Sequence, residues 1–415
     1  MSETLDRDRR SSVPADVDHR AHARPLLVRP PMRLLTIVTL LVVASIAWRR
    51  GVYYEGGADA VVVSKAFLTG LAFVLAVTTP ATRGKWPALK ATPTLWFGAY
   101  LALAAVSGAI AGSETIASLV LVIRMALLAT VLILVVAAYA AREIVSALTI
   151  SMLLIGAVAV TTGLGSLAEG RLEGGVPPLS PNAVAMLMAL PLIVITWECL
   201  CGEPRVSRVA AIPILLGLVW ATGSRTSFAT VLLAILLIAL TVKRVPFSAF
   251  ATGVLALPVV LFVAGWTTAL SSFIVRDDGQ SLGTLNSRTV AWGAAVDYAD
   301  TLTEQLIGAG LTLRQIPVSA MYRDQQILDS TWVSALLQVG AIGVCLLAAF
   351  VVVVFVAACR SPRPGRSLYI ALIAYLTIGS VLESGMFDAS IAFIMFFTVA
   401  LCAHTPHARE QVEAQ

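Results

Sequence analysis

Residues 215–240 read LLGLVWATGSRTSFATVLLAILLIAL, two strongly apolar runs that meet at Gly223-Ser224-Arg225-Thr226-Ser227. Followed outward, apolar runs of about 17 to 25 residues recur from residue 34 to residue 403, the length a helix needs to cross a hydrocarbon core of about 30 Å. A polar turn between two such runs is a helical hairpin in a membrane. The composition agrees: 58% of the 415 residues are hydrophobic and 13% charged, against roughly 45–50% and 25% in soluble domains. This pattern excludes a soluble globular class and predicts an all-α polytopic membrane protein.

The expected spans are 34–48, 59–79, 94–112, 115–139, 143–163, 181–200, 208–222, 226–242, 246–266, 332–358, 368–382 and 388–403, about twelve in all. The chain therefore divides into a tail (1–33), nine helices (34–266), one large loop (267–331), three helices (332–403) and a second tail (404–415). The first tail is rich in Arg, Asp and Pro, a composition expected to stay disordered. Its length, with no small-residue cleavage site after the first run, argues against a signal peptide.

Alternate loops differ in basic charge. Nineteen Lys and Arg fall on the side of the two tails and eight on the other, and the remaining two, Lys65 and Arg124, lie inside apolar runs. The positive-inside rule then predicts cytoplasmic termini and an extracytoplasmic large loop. The net charge of +5 is accounted for by topology and calls for no nucleic-acid partner. The five cysteines show no spacing that suggests a disulfide or a zinc site.

Ser224-Arg225-Thr226 returns once as Ser287-Arg288-Thr289. In the second copy Val290, Ala294, Tyr298, Leu302 and Leu306 recur every four residues, which predicts an amphipathic helix over 287–306, capped by Ser287 and stopped at Gly308-Ala309-Gly310. Each tripeptide thus places an Arg beside free helix N–H groups, an arrangement suited to an anion. The plainer reading makes Arg225 part of a turn and Arg288 a solvated helix start. A cation at membrane depth costs on the order of 2.5–3.5 kcal/mol and normally faces a partner or a polar cavity. That applies to Arg124 and Lys65, although Lys65 is close enough to its helix end to snorkel.

With Arg314 and Arg323 in the loop, these residues suggest a cationic pocket in the outer half of the membrane, suited to a lipid carrying phosphates. The outer acids are Glu169, Glu173, Asp277, Asp278, Asp329, Glu383 and Asp388, and the Asp277-Asp278 pair reads as a solvated turn, so no metal is expected. All four histidines lie in or beside the tails. An outer-side base must then be a carboxylate.

Four stretches carry a resemblance: LSPNAVAMLMALPL (179–192), GSRTSFATVLLAIL (223–236), SRTVAWGAAVDYADTLTEQLIGAGL (287–311) and LDSTWVSALLQVGAIG (328–343). In order, spacing and topology they resemble the O-antigen ligase and polysaccharide polymerase superfamily of bacterial membrane glycosyltransferases, over roughly residues 160–350. The resemblance implies a GT-C-like plasma-membrane enzyme. It would move a glycan from a polyprenyl-diphosphate carrier to a glycan or lipid acceptor hydroxyl, without metal, nucleotide sugar or other cofactor. By motif position, Arg225 and Arg288 would hold the diphosphate. Ligases of the family carry His-Asn where this chain has Asp329-Ser330, and polymerases carry Asp, which favours polymerisation of surface polysaccharide over ligation to a lipid or cell-wall acceptor. Asp329 would take the acceptor's proton. As a competing structural reading, Asp329 and Ser330 cap the helix that follows. A transporter or flippase of a lipid-linked anion is the alternative from another class, but the sequence shows neither an internal repeat nor a symmetric pair of broken helices.

Overall fold

A computed structural model describes residues 27–49, 59–79, 91–111, 115–202, 205–242, 292–320, 323–363 and 365–405. The expected run 246–266, most of both tails, and residues 267–291 of the loop, with Asp277, Asp278, Ser287 and Arg288, lie outside the described residues.

The apolar runs form helices α1 (Met32–Ser45), α2 (Ala60–Val77), α3 (Thr92–Ala111), α4 (Thr115–Ala138), α5 (Ala141–Gly163), α6 (Pro181–Cys201), α7 (Val206–Ala221) and α8 (Arg225–Thr241). After the gap come α9 (Leu302–Ile307), strands β1 (Gln315–Ala320) and β2 (Arg323–Ile327), then α10 (Thr331–Arg360), α11 (Gly365–Leu382) and α12 (Ile391–His404). Among the described residues seven helices are long and apolar enough to span a membrane, and α1, α7, α8 and α12 are shorter apolar helices. The protein is therefore mainly helical and polytopic.

Burial separates two kinds of helix. From Ile391 to Cys402 every residue of α12 is buried, as is nearly all of α6 after Val184, so these two form the centre of the bundle. On peripheral helices large apolar side chains face outward, among them Phe67 at 68% and Ile123 at 64% exposure. Such a surface suits acyl chains rather than water.

The helix ends sort into two sets. At one end Leu27 N–H donates to the buried Glu198 carboxylate (3.0 Å), which also pairs with Arg208, and Val28 N–H donates to Ser146 Oγ (3.1 Å). Arg33 caps the last turn of α2 by donating to Leu75 O at 3.2 and 2.9 Å, as a cation at a helix C-terminus should. At the same end Arg360 on α10 and His404 on α12 line one groove. The opposite end gathers the α7–α8 turn, the described loop residues and the α11–α12 connection.

The amphipathic helix expected over 287–306 is interrupted. Residues 292–297 are helical, the chain turns at Tyr298, and α9 begins afresh behind Thr301. Thr301 Oγ1 accepts from Glu304 N–H and Glu304 accepts from Thr301 N–H, both at 3.2 Å, a capping box that starts a second helix. The expected apolar face is only partly the packed one: Ala294 rests against the cluster of Ala295, Ile316, Leu328 and Leu337, but Tyr298, Leu302 and Leu306 are exposed. The antiparallel β1–β2 hairpin was also not expected from the sequence. Finally, α12 starts at Ile391 behind its cap Ser390, so the expected span 388–403 loses its first residues and Asp388 stands in a loop.

Candidate functional site

The site is assembled by a break in α10. A helix of 30 residues is about 45 Å long, more than one membrane core needs. At Gly340 the backbone leaves helical geometry (φ 68°, ψ −173°). The carbonyls released there meet the loop: Ala309 N–H donates to Leu337 O (2.8 Å) and Gly310 N–H to Gln338 O (3.0 Å). Ser107 on α3 donates to Gln338 O (2.7 Å) and accepts from Gly310 N–H (2.9 Å), and Ser118 on α4 accepts from Leu311 N–H (3.1 Å). Residues 308–311 are thus sewn between α3, α4 and α10. Three residues further on, Gln338 Nε2 holds Leu313 O (3.0 Å) and Leu328 N–H holds Arg314 O (3.1 Å), which fixes the backbone at Arg314.

A second loop brings the acid. Thr331 donates to Glu383 O through its N–H (3.2 Å) and its hydroxyl (2.8 Å), tying the start of α10 to the α11–α12 connection. Phe387 sits among Tyr100, Trp332 and Phe396, with ring centroids 5.5–6.3 Å apart. Ser390 Oγ holds Gly385 O at 2.6 Å. With its neighbours fixed, Asp388 reaches Arg314: Nη2 donates to Oδ2 at 2.6 Å, and Ala389 N–H donates to Oδ1 at 2.8 Å. The two side chains are 24% and 35% exposed, so the pair is partly wet.

Lys65 and Arg124 act on the same carboxylate through space. Both also have a structural duty. Lys65 Nζ donates to Ile46 O (2.7 Å) and Arg124 Nη2 to Ala44 O (3.0 Å), the carbonyls left open where α1 ends. Burial pushes the Asp388 carboxyl up, but the Arg314 and Arg124 guanidiniums together with the Ala389 N–H hold the group below its ordinary value. A cavity of about 40 Å³ opens at this pair, lined by Tyr100, Arg314, Thr331, Ser334, Gln338 and Asp388 among others.

On the other side of residues 383–386 lies a cavity of about 20 Å³, lined by Ser227, Thr230, Tyr375, Ser380 and Glu383. Glu383 Oε1 accepts from Asn182 Nδ2 at 2.6 Å, so the Pro-Asn start of α6 has a definite use. Ser227 is hydrogen-bonded to Tyr375 and to Ser224 Oγ (3.0 Å). Ser384 lines both cavities.

Of the expected set, Arg314 lines the first cavity, while Lys65 and Arg124 line neither and reach Asp388 only through space. Arg225 is exposed on the first turn of α8 and lines neither cavity, while in the preceding turn Arg171 Nε donates to Thr222 O (3.1 Å) at the end of α7. Asp329 is half-buried next to the first cavity, whose lining includes its neighbour Leu328. The cap of α10 is Ser330, whose hydroxyl accepts from Val333 N–H at 3.5 Å, so the capping role falls to Ser330 and not Asp329. Arg323 opens β2, and its side chain lies outside the described set. Sequence reading did not single out Tyr100 or Gln338 and did not pair Arg314 with Asp388. The only local signal was a polar Gln two residues before a Gly in an apolar run.

No protein-family model matches this chain, and no curated protein matches it.

Proposed function

We propose that this protein is a membrane glycosyltransferase that moves a glycan from a polyprenyl-diphosphate carrier to an acceptor hydroxyl at the loop-bearing end of the bundle. The observation that carries the reading is the cavity lined by the Arg314–Asp388 ion pair, with Arg124 and Lys65 acting on the same carboxylate through space from behind it. A fixed guanidinium in a partly dehydrated pocket, with two more cations contributing to the field there, stabilises negative charge as it develops on a departing diphosphate. In the step, the acceptor oxygen bonds to the anomeric carbon and the bond from that carbon to the diphosphate oxygen breaks. Its electron pair leaves with the lipid diphosphate, and the acceptor proton passes to a carboxylate. Asp388 lines the cavity and Asp329 stands at its edge, so these two are the candidate bases. Arg225 and Arg288 are assigned to the glycan-diphosphate by the resemblance of their motifs.

The basic-charge bias puts the loop end outside a bacterial plasma membrane and both termini in the cytoplasm. Asp at position 329 favours polymerisation of repeats over ligation. Cells lacking the protein test the reading through their lipid-linked glycans. Single repeats accumulated on the outer leaflet support a polymerase, and full-length lipid-linked chains support a ligase. Intermediates held on the inner leaflet refute a transferase and indicate a flippase.

A further inference from the structure

We infer that the cationic cavity carries its own counter-ion, and that an incoming phosphate or diphosphate group displaces Asp388 from Arg314. This deepens the function proposed above and rests on its reading of the cavity as an anion site.

The contact geometry comes first. Asp388 Oδ2 lies 2.6 Å from Arg314 Nη2, the position a phosphate oxygen takes on a guanidinium, since carboxylate and phosphate compete for the same planar donors. Asp388 is the one acid lining this cavity among the described residues. It therefore fills the place of a ligand oxygen, and a bound diphosphate would face it as a like charge.

The three cations differ in their freedom to exchange partners. Lys65 and Arg124 are tied to the carbonyls of Ile46 and Ala44 at the end of α1, so their positions are set by the bundle. Arg314 is the cation whose ion pair is with the cavity's own acid. An anion entering a field made by all three has one negative group to move.

Asp388 is also built to move without unfolding its loop. Its backbone is held by Asp388 N–H to Gly385 O (3.2 Å) and by Ser390 N–H to Asp388 O (2.7 Å), and Phe387 is packed among aromatic rings. Oδ1 has a separate donor in Ala389 N–H at 2.8 Å. The side chain can turn about that bond, give up Arg314 and keep one hydrogen bond. The displaced carboxylate is then free to accept a hydrogen bond from an acceptor hydroxyl while the diphosphate holds Arg314.

Competition between two anions for one cation makes a prediction opposite to that of a scaffold role. Removing the charge of Asp388 should tighten anion binding, whereas a carboxylate that only supports the fold would weaken it when lost. The probe is inorganic pyrophosphate, titrated calorimetrically into the full chain in detergent micelles. Asp388→Asn is expected to bind about tenfold more tightly than wild type, within the roughly 5–150-fold range of ordinary coupling, and Arg314→Gln more weakly. Equal or weaker binding by Asp388→Asn, or unchanged binding by Arg314→Gln, overturns the displacement but leaves an anion site in place. Absence of binding in wild type and Asp388→Asn alike overturns the anion site itself, and with it the proposed function. A measurement on wild type needs no variant to fold: with aspartate carboxyls labelled with carbon-13, the infrared difference spectrum on adding pyrophosphate should show a shifted labelled carboxylate stretch. An unchanged labelled band at saturating pyrophosphate overturns the displacement.

Discussion

Replacing Gly340 with Ala tests whether the break in α10 holds the site together. The backbone there has φ 68° and ψ −173°, a region open almost only to glycine, and holding another residue in it costs on the order of 1–3 kcal/mol. A Cβ would also lie 2.3 Å from both the carbonyl carbon and oxygen of Leu306 and 2.4 Å from Ile307 N. These are backbone atoms of α9 that cannot rotate away, so the loop itself must shift. The shift takes Ala309 and Gly310 off the carbonyls of Leu337 and Gln338, and each buried group left unpaired costs about 1–3 kcal/mol. The total is at least about 3 kcal/mol, and Arg314, four residues past Gly310, loses its support. Gly217→Ala on α7 is the control, because nothing lies within 4 Å of a Cβ there and Ala is the better helix former by about 1 kcal/mol. In detergent scans at one heating rate, Gly340→Ala should unfold well below wild type and bind pyrophosphate poorly, while Gly217→Ala matches or exceeds wild type. If Gly340→Ala is as stable as the control and binds normally, the docked loop does not position the site.

Three further outcomes follow from the same geometry. Asp388 sits below its unfolded value of 3.8, burial raising it less than Arg314, Arg124 and the Ala389 N–H together lower it. Its pairing therefore stabilises the fold above that value and is lost as pH falls through the lower folded one; wild type should show an added acid-induced loss of stability below about pH 4 that Asp388→Asn lacks, and superimposable acid titrations of the two would count against the pair. Ser330→Ala should cost about 0.5–1 kcal/mol, the lower part of the capping range, because its hydrogen bond is long; in Asp329→Asn a rate loss of about 10²-fold or more would mark Asp329 as the base, whereas normal turnover would pass that role to Asp388. Arg225→Ala and Arg288→Ala should abolish most transfer with the protein still inserted, and Lys at either position should rescue poorly because the planar fork is gone; near-normal turnover in one of the Ala variants would reduce that Arg to a turn or cap residue.

The helices were legible because their signal is local and repeated: the run expected at 115–139 forms Thr115–Ala138, and that at 181–200 forms Pro181–Cys201. The interior of the loop was less legible. A four-residue apolar spacing ran through 290–306, yet the Thr301–Glu304 capping box restarts the helix, and tertiary packing buries Ala295 instead of Leu302. The site was half legible. A charge inside an apolar run announces itself, so Lys65 and Arg124 stood out. Their proximity to Asp388 depends on residues separated by more than 250 positions, and no spacing rule reaches that far. The Gly308-Ala309-Gly310 stop was read correctly as a helix end, with Gly308 at φ 84°, but its N–H groups also complete a different helix. That second use needs the break at Gly340 to exist first.

The depth of the two cations follows from the shortness of α1. Fourteen residues make about 21 Å of helix, less than the membrane core, so its last carbonyls open where water is scarce and each unsatisfied group costs several kcal/mol. Ile46 N–H takes Val42 O (3.1 Å), Trp48 Nε1 takes Val43 O (2.9 Å), Arg124 takes Ala44 O and Lys65 takes Ile46 O. A neutral donor could satisfy each bond, but a cation there also meets the negative end of the helix dipole, which offsets part of its own burial cost. Structural need and the field for an anion therefore draw on the same two residues. Either substitution would loosen α1 and weaken anion binding together, so loss of activity alone cannot assign their role. Arg314 and Asp388 do not cap α1, and on them the chemistry of the cavity can be tested apart from the architecture that holds it.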